Sequence, residues 1–176
     1  AYKLFKGLAK GLYKTEIRGA ENIPENGGFI ICANHVSKID FLFISLALSK
    51  ERYMKLCCMA KKELFRNDPF SRKLIKSAGM VPVDRGGMNS SSMENIKKRL
   101  KENWGVIIHP EGTRSEDGVF RKIKNGAKFR LSVTFGKPIS PDGLTTEELT
   151  AEIERAISVL QDENSTLPQF QSHNAE

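Results

Sequence analysis

The chain has 176 residues, enough for one domain with a buried core, and 39% hydrophobic with 28% charged residues is the balance of a soluble globular protein. Its formal net charge of +7 favours an anionic partner, whether nucleic acid, a phosphorylated substrate or an anionic membrane. No stretch approaches the ~18 uninterrupted apolar residues of a membrane span, and Cys32, Cys57 and Cys58 have no CxxC spacing, which argues for reduced core thiols in a cytosolic setting over disulfides or zinc.

No secretory signal is visible from Ala1 onward. The opening AYKLFKGLAKGLYK has two faces. Tyr2, Phe5, Leu8, Leu12 and Tyr13 recur at helical spacing, and Lys3, Lys6, Lys10 and Lys14 take the other side. The spacing predicts an amphipathic helix, bounded at 1–18, too short and too charged to span a bilayer. It admits two readings. One is a helix lying in an anionic membrane interface, where each lysine adds roughly 1 kcal/mol of attraction. The other is a helix packed on its own domain with a solvated lysine face; Gly7 and Gly11 weaken it in water.

NIPENGG then reads as a turn, after which one pattern repeats. An apolar run at 29–33 ends in Asn34-His35, one at 53–60 in Lys61-Lys62, one at 80–83 in Asp84-Arg85, and one at 106–108 in His109-Pro110-Glu111. Each run has strand length, and helices are predicted at 39–49, 63–77 and 92–103, the last opened by Ser91-Ser92-Met93-Glu94. KFRLSVTFGKPIS reads as a half-buried strand with Phe129, Leu131, Val133 and Phe135 on one side. TTEELTAEIERAISVLQ follows as an amphipathic helix opened by Thr145 and Glu148, and 163–176 is a polar tail. Residues 19–162 are therefore expected to form a single α/β domain, with a largely parallel or mixed central sheet flanked by helices. Such sheets bind ligands at the carboxyl ends of their strands, where all four polar groups fall.

His35 and Asp40 stand five positions apart. On a regular helix that is a separation of about 140°, so they meet only if His35 lies in the turn leaving its strand and Asp40 in the first helical turn. Ser37 followed by Asp40 resembles a capping box that begins the helix there. The functional reading makes His35 a general base oriented by Asp40. The bland one makes Asp40 a cap and His35 the filler of a polar corner. No GxSxG elbow surrounds a serine, so a bound alcohol attacking directly suits a histidine base here.

HPEGTRSEDG is the second constellation. Pro110 and Gly112 shape a turn able to present N–H groups to an anion, Arg114 is a forked donor suited to phosphate, Thr113 adds a hydroxyl, and Glu111 holds Arg114 or the loop. A plain surface turn would use the same residues. Arg85 in VPVDRGG and Lys61 at its strand end are cationic; a surface ion pair and a solvated lysine are the ordinary explanations.

In order, these pieces resemble the glycerolipid acyltransferase family, of the 1-acyl-glycerol-3-phosphate acyltransferase (PlsC-like) type. NHVSKID resembles its NHxxxxD block, GMVPVDR its second block, and HPEGTRS its third, where the family usually has Phe at the position of His109. AKKELF resembles the segment before the second block, and the likeness covers roughly residues 20–127. The resemblance implies transfer of a fatty acyl group from acyl-CoA or acyl-ACP to the free hydroxyl of lysophosphatidate, giving phosphatidic acid in phospholipid biosynthesis. His35 would be the base and Asp40 its partner, Lys61 and Arg85 would bind the acceptor's phosphate, and Glu111, Gly112, Thr113 and Arg114 would line the acceptor site. No metal or cofactor is implied beyond the acyl thioester. The partners would be the two substrates, an anionic membrane surface and acyl carrier protein, at the cytoplasmic face of the cell membrane, peripheral or monotopic. Two alternatives stand beside it: the same chemistry on glycerol-3-phosphate or another lysophospholipid, and a non-catalytic basic domain that holds membrane or nucleic acid. No aromatic-rich RNA-binding signature or DNA-binding module is present, and nucleic acid is not expected.

One departure stands out. The family continues from its third block through a helix into an apolar VPxxPV-like strand, whereas here Asn125-Gly126-Ala127 runs directly into Lys128-Phe129-Arg130. Loss of a central strand exposes unpaired backbone and core, which favours a junction of segments not contiguous in the intact protein over a deletion.

Overall fold

The computed structural model of the chain describes residues 7, 13–36, 40–65, 79–83, 90–112 and 129–165. Its strands are β1 (Tyr13–Arg18), β2 (Phe29–Cys32), β3 (Leu56–Lys61), β4 (Val81–Val83), β5 (Gly105–Ile108) and β6 (Phe129–Thr134). Its α-helices are α1 (Asp40–Ser45), α2 (Lys50–Met54), α3 (Ser90–Lys101) and α4 (Thr146–Ser165).

All described strand pairs are parallel. A four-stranded sheet runs in the order β2-β5-β3-β4. Parallel strands covered on both faces need apolar side chains on both, and Cys57, Val106 and Ile107 are fully buried. Successive side chains point to opposite faces. Accordingly Val106 and Cys57 pack with Val81 and with Ile96 of α3, while Ile107 and Cys58 pack with Phe41 and Ile44 of α1. Burial pushes the Cys58 thiol to about 12, so this cysteine behaves as a core residue. The register pairs Cys32 with Ile108, Cys58 with Ile107 and Lys61 with Val83. The carboxyl ends of these strands therefore share one edge of the sheet.

Close approach requires a glycine at 105: a Cβ there would lie 2.5 Å from Cζ of Phe29 on the neighbouring strand. Phe29 in turn lies beneath Arg52, whose guanidinium carbon is 4.5 Å from the ring centroid. Arg52 is buried and donates to Pro24 O at 2.7 and 2.9 Å, Gly27 O at 2.8 Å and Asn103 O at 3.1 Å. One side chain of α2 thus ties the turns before β2 and after α3 together. Arg52→Met keeps the aliphatic stem but strands those carbonyls. It is expected to cost about 2–4 kcal/mol, read as a lower urea midpoint at unchanged slope.

β1 and β6 form a separate two-stranded sheet. α1 lies between the two sheets: its Phe43, with Leu46 just beyond its end, meets Ile17 and Val133, and Phe41 and Ile44 face the larger sheet. Phe135 N donates to Arg18 O at 2.9 Å, and Asn22 Nδ2 donates to Phe135 O at 3.0 Å. The expected α/β architecture of parallel strands flanked by helices is present, and among the described residues its strands fall into two parallel sheets. No described strand pairs with β2 on the edge opposite β5, and the 127–128 junction lies outside the described residues.

The predicted helix over 1–18 is corrected at its end, because Tyr13–Arg18 is strand β1, paired with β6 from Tyr13↔Phe129 to Arg18↔Thr134. YKTEIR carries alternation and β-branched Thr15 and Ile17 as well as helical spacing, and pairing across the chain decides between them. The rest of that helix lies outside the described residues, apart from residue 7. The predicted helix at 39–49 ends at Ser45. Tyr53 and Met54 belong to α2, not to a strand, because Ser49 caps that helix by accepting from Arg52 N at 3.3 Å. Of the helix predicted at 63–77, Lys62–Phe65 is a 3₁₀ turn and the remainder lies outside the described residues. α3 begins at Ser90, and Ser92 Oγ donates to Pro82 O at 2.7 Å, so that serine ties helix to strand. The box opening α4 forms as expected. Thr145 N and Oγ1 donate to Glu148 Oε2 at 2.8 and 2.9 Å, and Glu148 N donates back to Thr145 Oγ1 at 3.2 Å. α4 runs to Ser165, past the predicted boundary at 162, and the rest of the tail lies outside the described residues.

Candidate active site

The site begins where β2 leaves its ladder. Ala33 N still donates to Ile108 O at 3.0 Å; the next residues turn away, and α1 starts at Asp40. Across that turn Asp40 Oδ2 accepts from Val36 N at 2.9 Å and stands 2.9 Å from His35 Nδ1. The five-residue spacing closes between His35, just past the end of β2, and Asp40, the first described residue of α1. Ser37, the expected cap, lies outside the described residues.

An ionised carboxylate only accepts, so the proton of a neutral His35 ring sits on Nδ1 and leaves Nε2 with a free lone pair. The His35 side chain is 25% exposed and that of Asp40 10%. A partly open ring held from behind by a buried carboxylate is the arrangement a general base needs.

His109, the residue after β5, completes the cluster. Its ring stacks on that of His35 with centroids 4.1 Å apart and planes 19° apart. Its Nδ1 stands 3.0 Å from Ala33 O and 3.2 Å from Asn34 O. Carbonyls only accept, so His109 also carries its proton on Nδ1. Burial lowers its pKa below the ordinary 6.5, a charged His35 would lower it further, and the carbonyl bonds and Asp40 oppose the shift. His109 is neutral at pH 7. The apolar-run pattern ended at this residue, but it was not among the expected site residues. The adjacency of β2 and β5 is the signal that places it against His35.

Donor atoms of His35, Asp40 and His109 lie within 4.8 Å of one another. Both Nδ1 atoms face oxygen acceptors, Asp40 Oδ2 for His35 and the carbonyls of Ala33 and Asn34 for His109. The hydrogen bonds of the set are those of an oriented base.

Of the remaining expected residues, Lys61 ends β3 and is exposed on the same edge. Glu111 and Gly112 are exposed in the turn after β5, where Gly112 N donates to His109 O at 3.0 Å and Gly112 takes φ 66. Arg85, Thr113 and Arg114 lie outside the described residues. Asn34, Val36 and Asp40 border a cavity of about 1150 Å³ between β2, the end of β6 and α4. Ile30, Phe135, Ile153, Ile157 and Leu160 give it an apolar wall.

A family model described as "Acyltransferase" matches residues 14–144. The chain is 32% identical over 127 residues to the 1-acyl-sn-glycerol-3-phosphate acyltransferase of Bacillus subtilis (strain 168), covering 72% of this chain and 59% of that protein. It is 33% identical over 122 residues to the protein of that name from Helicobacter pylori (strain J99 / ATCC 700824), covering 66% and 48%. In fold it is similar to the crystal structure of the 1-acyl-sn-glycerophosphate (LPA) acyltransferase PlsC from Thermotoga maritima. The TM-score is 0.68 at 21% identity, with 94% of this chain and 80% of that one covered. The chain spans about half the length of the curated relatives it matches.

Proposed function

Because the chain belongs to the Acyltransferase family, we propose that it transfers a fatty acyl group from an acyl thioester, acyl-CoA or acyl-ACP, to the free hydroxyl of 1-acyl-glycerol-3-phosphate. The observation that carries this reading is the 2.9 Å contact of His35 Nδ1 with Asp40, which leaves Nε2 as a base. The acceptor hydroxyl gives its proton to His35 Nε2 as its oxygen attacks the thioester carbonyl. The tetrahedral adduct collapses, the C–S bond breaks, and the thiolate takes the proton back from Nε2 to leave as thiol. Asp40 holds the ring and stabilises the imidazolium between the two transfers. A thioester is already activated, so positioning and one base suffice without an enzyme nucleophile.

Lys61, with Arg85 and Arg114, supplies cations for the acceptor's phosphate, and Glu111, Gly112 and Thr113 line its approach. No described helix is long and apolar enough to cross a membrane. The +7 charge suits work on an anionic leaflet, the cytoplasmic one where the thioester resides.

A thiol-release assay tests this, with palmitoyl-CoA or palmitoyl-acyl carrier protein as donor and lysophosphatidate, glycerol-3-phosphate or lysophosphatidylcholine as acceptor. Release is expected with lysophosphatidate; no acceptor-dependent release with any pair overturns the reading. Lys61→Ala is expected to raise KM for lysophosphatidate about three- to tenfold with kcat nearly unchanged, as loss of one exposed cation should. An unchanged KM removes Lys61 from the phosphate site.

A further inference from the structure

We propose that His109 is a positioning residue for the base: its neutral ring, stacked face to face on His35, holds that ring against Asp40, and a proton on His109 switches the base off. This deepens the acyl-transfer reading and rests on it for the direction of the kinetic effect.

The geometry is built from both sides. His109 Nδ1–H is shared between Ala33 O at 3.0 Å and Asn34 O at 3.2 Å, so the ring is bolted to the very backbone that carries His35. Its face then meets the His35 ring at 4.1 Å, on the segment whose other restraint is Asp40 at 2.9 Å. His35 is thus held at Nδ1 by the carboxylate and across its face by a second flat ring. Nε2 of each ring is left over.

The consequences for the proton follow from chemistry. When His35 takes the acceptor's proton it becomes a cation lying over the π face of a neutral ring, a favourable contact. When His109 is itself protonated, the same contact sets two positive rings face to face, which opposes the imidazolium that the reaction must form. Among the described residues, the titratable groups whose charge reaches His109 are His35 and Asp40, both on the segment leaving β2. Glu111 on its own turn and Lys61 at the end of the neighbouring β3 are exposed to solvent. Burial lowers the pKa of His109 below 6.5, so this proton binds on the acid side of that value and leaves as pH rises through it. Activity therefore needs two neutral imidazoles, and the acid limb of log kcat/KM steepens from a slope of one to a slope of two.

Two variants and one spectroscopic titration test this. His109→Phe keeps a flat ring and removes the proton site; it should hold kcat within about threefold and reduce the acid limb to a slope of one. His109→Ala removes the stack and should lower kcat about tenfold with KM within twofold. Imidazole nitrogen NMR of the unmodified chain should show both neutral rings protonated at Nδ1 and a His109 titration displaced downward by the charge of His35, that part of the displacement vanishing in His35→Phe. The titration is independent of turnover. Absence of acyl transfer with coupled titration present removes the functional reading and leaves the stacked pair standing. Uncoupled titration, a slope of two retained by His109→Phe, or full kcat in His109→Ala overturns the proposal.

Discussion

Replacing His35 with alanine is expected to lower acyl transfer to lysophosphatidate by about a thousandfold, while the protein stays folded. A positioned acid–base group contributes about 10²–10⁴ in rate, and His35 is the only described group that pairs a free ring nitrogen with a buried carboxylate behind it. The stability cost is small by comparison. Asp40 Oδ2 keeps its bond from Val36 N at 2.9 Å, and removal of a partly open ring should cost about 1 kcal/mol. Single-turnover rates with palmitoyl-CoA beside a urea unfolding curve separate the two effects. Turnover within tenfold of the unmodified chain would remove His35 as the base.

Asp40→Asn is the second large effect, and it distinguishes an orienting carboxylate from a helix cap. Two donors, Val36 N–H and His35 Nδ1–H, converge on one oxygen of Asp40. The asparagine carbonyl can take that place, so Val36 N–H keeps an acceptor and α1 keeps its first turn. The charge that stabilises the imidazolium is gone. kcat should fall about a hundred- to a thousandfold with little change in KM, while stability drops by about 1 kcal/mol as the charge at the helix N-terminus is lost. Asp40→Ala orphans both donors and adds about 2 kcal/mol of destabilisation. If Asp40→Asn keeps a tenth of the activity while Asp40→Ala unfolds the chain, the residue is a cap only.

Much of this site was legible from residue order. Each apolar run ended in a polar group, and a parallel sheet must bring such ends to one edge; Lys61, His109 and the His35 turn do share it. The contact of His35 with Asp40 was legible too, because only a few dihedrals separate them. His109 was harder to read. Its approach to Ala33 and Asn34 spans 76 and 75 positions, and nothing near it in the chain requires that approach. The same holds for β1, whose residues satisfied a helical pattern until β6 became their neighbour.

By itself, then, the sequence determined what neighbouring residues settle among themselves. It set the alternation of apolar runs with helices, the box at Thr145 and Glu148 that opens α4, and the turn that lays Asp40 against His35. These depend on dihedrals and hydrogen bonds within a few residues. Only the tertiary structure decided that β5 lies between β2 and β3, that Tyr13–Arg18 is a strand, and that His109 stacks on His35. Strand order and pairing follow from burying both faces of a sheet at once, a condition on the whole chain that no local pattern can carry.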